Sequence, residues 1–98
     1  MDGRQYIKWT VEVKKKAQKQ FERLPENVKK TLATLLNEIR IYGPYRIGWP
    51  NYGSLSKNRY HCHLKKGKPT YVAVWEIKNK KVRLVEVSYV GTHEKAPY

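Results

Sequence analysis

Three runs in the second half of the chain read as strands: 59–64 (RYHCHL), which alternates polar and apolar residues, 70–77 (TYVAVWEI) and 81–90 (KVRLVEVSYV). Only Lys65-Lys66-Gly67-Lys68-Pro69 and Lys78-Asn79-Lys80 separate them. A parallel crossover needs a dozen residues or more, so connections this short make neighbouring strands antiparallel. A three-stranded antiparallel meander is the expectation.

The first half has other periods. Residues 5–11 (QYIKWTV) alternate, as a half-buried strand does. From Val13 the spacing becomes helical: Val13, Ala17, Phe21 and Leu24 share one face, with Lys14, Lys15, Lys16 and Lys19 on the wet side. Pro25 breaks this helix and can start the next. A second helix is expected from about 26 to 42, with Val28, Leu32, Leu35, Leu36 and Ile39 as its apolar stripe and Gly43-Pro44 as its stop. Residues 43–57, rich in Gly, Pro and aromatics, read as a long loop, and the tail 91–98 carries no clear element. Gly91 is expected to allow a sharp exit from the last strand. The order strand, helix, helix, strand, strand, strand gives an α+β fold, one sheet with two helices on one face, in a single domain over residues 1–98.

Charge narrows the partners. Twenty-one Lys and Arg against eight Asp and Glu leave +13 on 98 residues. Such an excess concentrates polyanions, of which nucleic acid is the commonest, and an acidic protein is equally compatible. The single cysteine, Cys62, allows no intrachain disulfide, which fits a reducing cytoplasm. Residues 1–10 are polar and mixed, unlike a secretory leader, and no stretch approaches the ~18 apolar residues of a membrane span.

Chemistry concentrates on the strand at 59–64. Alternation puts Tyr60, Cys62 and Leu64 on a buried face and His61 and His63 on the other. Imidazole titrates near neutral pH and is the usual general acid or base. The plain alternative is two exposed histidines without a role. His-x-His, with His93 as a third ligand, is also a zinc spacing. Acidic groups for a second shell are sparse and a strongly positive surface repels a dication, so no metal and no cofactor is expected. Cys62, on the buried face, is expected to be inert. The tail adds His93, Lys95 and Tyr98. Tyr45, Trp49 and Tyr52 either stack on bases or pin the loop to the core. Arg46, Lys57, Arg59, Lys65, Lys66, Lys68 and Lys95 are candidate phosphate contacts.

Taken in order, these residues resemble the RelE/ParE superfamily of toxins. Leu55 followed by Tyr60-His61-Cys62-His63-Leu64 is similar to that family's strand of two basic residues between Tyr and Leu. Residues 71–77 (YVAVWEI) resemble its central strand, and Val90-Gly91-Thr92-His93 with Tyr98 resembles its closing motif. The resemblance implies a messenger-RNA endoribonuclease of a type II toxin–antitoxin pair, acting at the ribosome by 2′-hydroxyl attack on the adjacent phosphate. Messenger and ribosomal RNA and a cognate antitoxin would be its partners. His61, His63 and His93 match the basic positions, and Tyr98 matches the base-stacking tyrosine. The family's central-strand arginine falls at Val72, with Lys65, Lys66 or Lys68 as nearby substitutes. Two other outcomes fit the resemblance: a DNA gyrase poison of the ParE kind, which does not need the His/Tyr set, and a non-catalytic nucleic-acid-binding homologue, which Val72 favours.

Overall fold

A computed structural model describes residues 8–98. Strand β1 (Thr10–Val13) leads to helix α1 (Lys15–Glu22) and helix α2 (Glu26–Tyr42). Then come β2 (Gly53–Ser56), β3 (Arg59–Lys65), β4 (Tyr71–Asn79) and β5 (Leu84–Thr92), and a short 3-10 turn at His93–Lys95. The sheet order is β1-β5-β4-β3-β2. β1 runs parallel to β5, and the remaining neighbours are antiparallel. The fold is α+β, with two helices on one face of a five-stranded mixed sheet.

The meander follows the expected pattern, and the differences have physical causes. The N-terminal strand expected at 5–11 lies partly outside the described residues; its described part begins at Thr10. Val13 ends this strand instead of opening α1, yet it still reaches the helix-side core. The expected loop 43–57 contains a strand, because Gly53 and Ser54 pair with His61 and Tyr60. Gly43 stops α2 at φ 103°, and a Cβ there would lie 3.0 Å from the Trp9 indole nitrogen, so both backbone and space require glycine.

Both helix stripes bury themselves against the same sheet face. Ala17, Leu24, Val28, Leu32, Leu35 and Ile39 meet Cys62, Leu64, Ala73, Trp75, Ile77, Val85, Val87 and Val90. Each large apolar side chain buried here contributes about 1.5–3 kcal/mol before entropy is counted. Trp75 is fully buried, and its indole N–H donates to the Pro44 carbonyl at 3.0 Å, which ties the segment after α2 to the central strand.

Candidate functional site

The helix-free face carries a smaller apolar cluster. Val72 and Val74 of β4 and Tyr89 of β5 are buried there, with Leu55 and Ala96 packed on them. Tyr89 reaches this face through a bulge. Val74 pairs with Tyr89 and Trp75 with Val87, leaving Ser88 unpaired, so the alternation of β5 slips by one residue. The Tyr89 hydroxyl donates to the Thr92 carbonyl at 2.7 Å and holds the strand end from which the tail departs. Gly91 has an ordinary backbone, not the sharp exit expected of it; a Cβ there would lie 2.7 Å from the Tyr89 hydroxyl.

Ala96 seats the tail on this floor, and His61, His63, His93 and Tyr98 come together above it. His61 and His63 stand opposite Val74 and Val72 in the register. Tyr98 stacks on His61 with centroids 4.7 Å apart and planes 28° from parallel. His93 meets His63 edge-on at 5.5 Å and Tyr98 at 5.8 Å. The four rings form one continuous set.

Burial pushes the His61 imidazole below its ordinary value, and the positive fields of His63 and His93 push the same way. His63 is lowered by burial first, then by His93 and Lys66. Burial raises the Tyr98 phenol, so it stays protonated at neutral pH. A proton on His63 makes one on His61 harder to add. Nδ1 of His61 is buried and has no hydrogen-bond partner. Cys62 is fully buried on the opposite face, and burial pushes its thiol up to about 12. Among the described residues no group of three His, Cys, Asp or Glu side chains is placed to hold a metal ion.

The other expected residues divide. Lys57, Lys65, Lys66, Lys68 and Lys95 are exposed and Arg59 is half-buried. Of the turn lysines, Lys66 is the one whose charge is felt at His63. The loop aromatics lie on the helix side. Tyr52 stacks on Tyr60 at 5.9 Å and on Trp75 at 6.2 Å, and Tyr45 meets Tyr60 edge-on at 5.5 Å. Trp49 donates its indole N–H to Glu38 Oε1 at 2.8 Å, and Arg46 reaches the same oxygen at 3.2 Å. Arg46, Trp49 and Tyr52 therefore pin the loop, and the structure does not bring them to the histidines. Val72, where the resemblance places an arginine, is fully buried under the tail. Sequence reasoning missed Tyr89 and Ala96; only the bulge at Ser88, invisible in the alternation, turns Tyr89 to this face.

No family model matches the sequence, and no curated protein does. Solved structures do. A chain of the archaeal RelE–RelB complex from Pyrococcus horikoshii superposes with TM-score 0.69 at 13% identity, over 91% of this chain and 99% of that one. The isolated E. coli RelE toxin gives 0.66 at 20% identity, over 91% and 88%. The toxin–antitoxin complex RelBE2 from Mycobacterium tuberculosis gives 0.57 at 18%, over 89% and 100%. At these identities the likeness is one of architecture, and the chain has the fold of the RelE toxins.

Proposed function

We propose that the protein is the toxin of a toxin–antitoxin pair and an endoribonuclease that cuts messenger RNA at the ribosome in the cytoplasm. The observation that carries this reading is the continuous set of three imidazoles and one phenol on the helix-free face, on a chain of net charge +13. The RelE fold supports the toxin role. An acidic antitoxin segment is the fitting partner for so basic a surface.

The chemistry follows from charge. A phosphodiester sits over the imidazoles with its 2′-hydroxyl towards His61, which burial keeps neutral and able to accept a proton. The 2′-oxygen attacks phosphorus, its proton passes to the imidazole, and the bond to the 5′-oxygen breaks. The leaving oxygen takes a proton from a second imidazole, assigned to His93. The products are a 2′,3′-cyclic phosphate and a 5′-hydroxyl. Lys66 and Lys95 offset charge that grows on the phosphorane, and His63 offers it an N–H. Tyr98, as a neutral phenol, offers a ring to the target base. Lys57, Arg59, Lys65 and Lys68 are further phosphate contacts.

The test is to map messenger-RNA ends in translating cells that express the parent, His93→Ala or Tyr98→Ala. The expected result is new 5′-hydroxyl ends within codons for the parent, lost in both variants. Growth arrest with intact RNA would point to gyrase poisoning instead. Neither arrest nor cleavage would point to a non-catalytic module.

A further inference from the structure

A second basic feature adjoins the ring set. β1 pairs with β5 only as far as Val87. Beyond it, β5 is flanked by α1, where the Gln20 side chain accepts from the Val90 N–H at 3.1 Å. An open groove of about 790 Å³ runs along this stretch, between α1 and the C-terminal tail. Lys14, Lys16, Arg23, Arg59 and Lys95 line it, and Glu94 is the one carboxylate among its lining residues. Thr92 and Pro97 also line it, and with Glu94 and Lys95 these are the chain neighbours of His93 and Tyr98, so the groove borders the tail that carries those two rings.

The rest of the same face carries the opposite charge. Glu76, Glu86 and Glu12 are register partners across β4, β5 and β1. With Val11 and Val13 in the helix-side core, Glu12 faces the other way, on the side of Glu76 and Glu86. These are three of the chain's eight Asp and Glu residues in one row, partly offset by Lys78, whose Nζ lies 3.7 Å from Glu76 and 4.0 Å from Glu86, and by Arg59, the register partner of Glu76 on β3. The row crosses the sheet between the basic β4–β5 turn, with Lys80, Lys81 and Arg83, and the histidines. A polyanion held at the rings meets repulsion lengthwise along the strands and attraction sideways, over the β5 edge towards α1.

We propose that this groove is a second polyanion site, the track for the RNA strand that flanks the phosphate at the histidines, with Lys14, Lys16 and Arg23 as its contacts on α1 and the residues flanking it. The inference rests on the RNA reading above. RNA is favoured over an acidic polypeptide because the groove ends on the tail segment that carries His93 and Tyr98, so one strand bound at the rings has the groove as its neighbour.

The test uses the full chain and a 2′-O-methylated single-stranded RNA of a dozen nucleotides, which cannot be cut. Binding is followed by fluorescence anisotropy over a range of potassium chloride. Each phosphate neutralised on a single strand adds ~0.7 to the slope of log K against log salt. The triple variant Lys14→Gln, Lys16→Gln, Arg23→Gln should lower the slope by about 2, while leaving binding of a trinucleotide unchanged. These side chains are exposed, and an unchanged urea midpoint confirms folding; Lys16→Gln alone, expected to lower the slope by ~0.7, serves if the triple variant is unstable. An unchanged slope in a parent that binds RNA would overturn the track. Loss of poly-glutamate binding with RNA binding intact would also overturn it, assigning the groove to an acidic polypeptide. A groove-dependent slope in a parent that cuts no RNA would uphold the track and remove the nuclease reading.

Discussion

Gly91→Ala tests how the tail is held. The new Cβ would lie 2.7 Å from the Tyr89 hydroxyl and 3.0 Å from Cζ, so the phenol must move. That hydroxyl donates to the Thr92 carbonyl at 2.7 Å, immediately before His93. Losing the bond and leaving its half-buried ends poorly satisfied costs about 1–3 kcal/mol. Pushing a packed ring off its rotamer adds ~0.5–1.5 kcal/mol. Because Gly91 has an ordinary backbone, alanine also restricts the unfolded chain and returns about 0.4–1 kcal/mol. The net expectation is a loss of roughly 1–3 kcal/mol on these terms. Tyr89→Phe alone removes the hydrogen bond, for about 1 kcal/mol. With the hydroxyl already gone, the nearest obstacle to the added methyl is Cζ, and a ring shift of tenths of an ångström relieves it. The double variant should therefore resemble Tyr89→Phe, with a coupling as large as the cost of Gly91→Ala itself, about 1–3 kcal/mol. Urea unfolding of the parent, both single variants and the double variant at 25 °C and neutral pH measures the cycle. Additivity within ~0.5 kcal/mol would refute the reasoning, because it would mean that the added methyl and the hydroxyl do not meet.

Four further outcomes follow from the same geometry. Glu38→Ala removes the acceptor shared by Arg46 and Trp49 and should cost about 1–3 kcal/mol in urea unfolding, with faster amide exchange in the loop it pins. His61 and His63 are lowered in the fold, so the unfolded chain takes up protons first. Stability should be complete above about pH 6.5 and fall as pH drops towards the depressed folded values, and unfolding midpoints of the parent and of a His61→Gln, His63→Gln variant across pH 5–8 measure the difference. Cleavage limited by a neutral base should rise with pH and level off with a midpoint below 6.5, and a flat profile from pH 5 to 8 would count against imidazole as the base. Val72→Arg places a charge at a fully buried position under Ala96, so it should cost more than about 3 kcal/mol and fail to raise cleavage, as denaturation and an RNA-end assay would report.

The parts of the fold that follow local rules were legible in the sequence. Short polar connections dictate the antiparallel meander, and two helical stripes followed by Gly43 dictate the hairpin of helices. Alternation alone separated His61 and His63 from Cys62. Features set by non-local contact were not legible. β2 is Gly-Ser-Leu-Ser, without a β-branched or aromatic residue, and is a strand only because β3 pairs with it. Strict alternation would send Tyr89 to the core beside Val85 and Val87, and the Ser88 bulge reverses this. Trp49 pointed equally to RNA and to a pinned loop, and Arg46 to a phosphate, until Glu38, a helix residue eleven and eight positions earlier, supplied the shared acceptor. The convergence of His93 and Tyr98 on the histidine strand came from family resemblance, since no periodicity links a tail to a strand.

Val72 and the histidines belong to one physical arrangement. A cation at position 72 would have to be buried, because Val72, Val74, Tyr89 and Ala96 close an apolar floor there. That floor seats the tail, and the seated tail brings Tyr98 over His61 and His93 against His63. Burial then lowers both strand imidazoles. Lysine or arginine at 61 and 63 would stay charged and solvated there, and would repel one another across the face. Imidazole can shed its proton and remain packed. An apolar residue on the central strand and histidine on its neighbour are thus mutually consistent choices, and under the proposed function they would place its acid–base chemistry on groups that titrate near neutrality instead of on permanent cations.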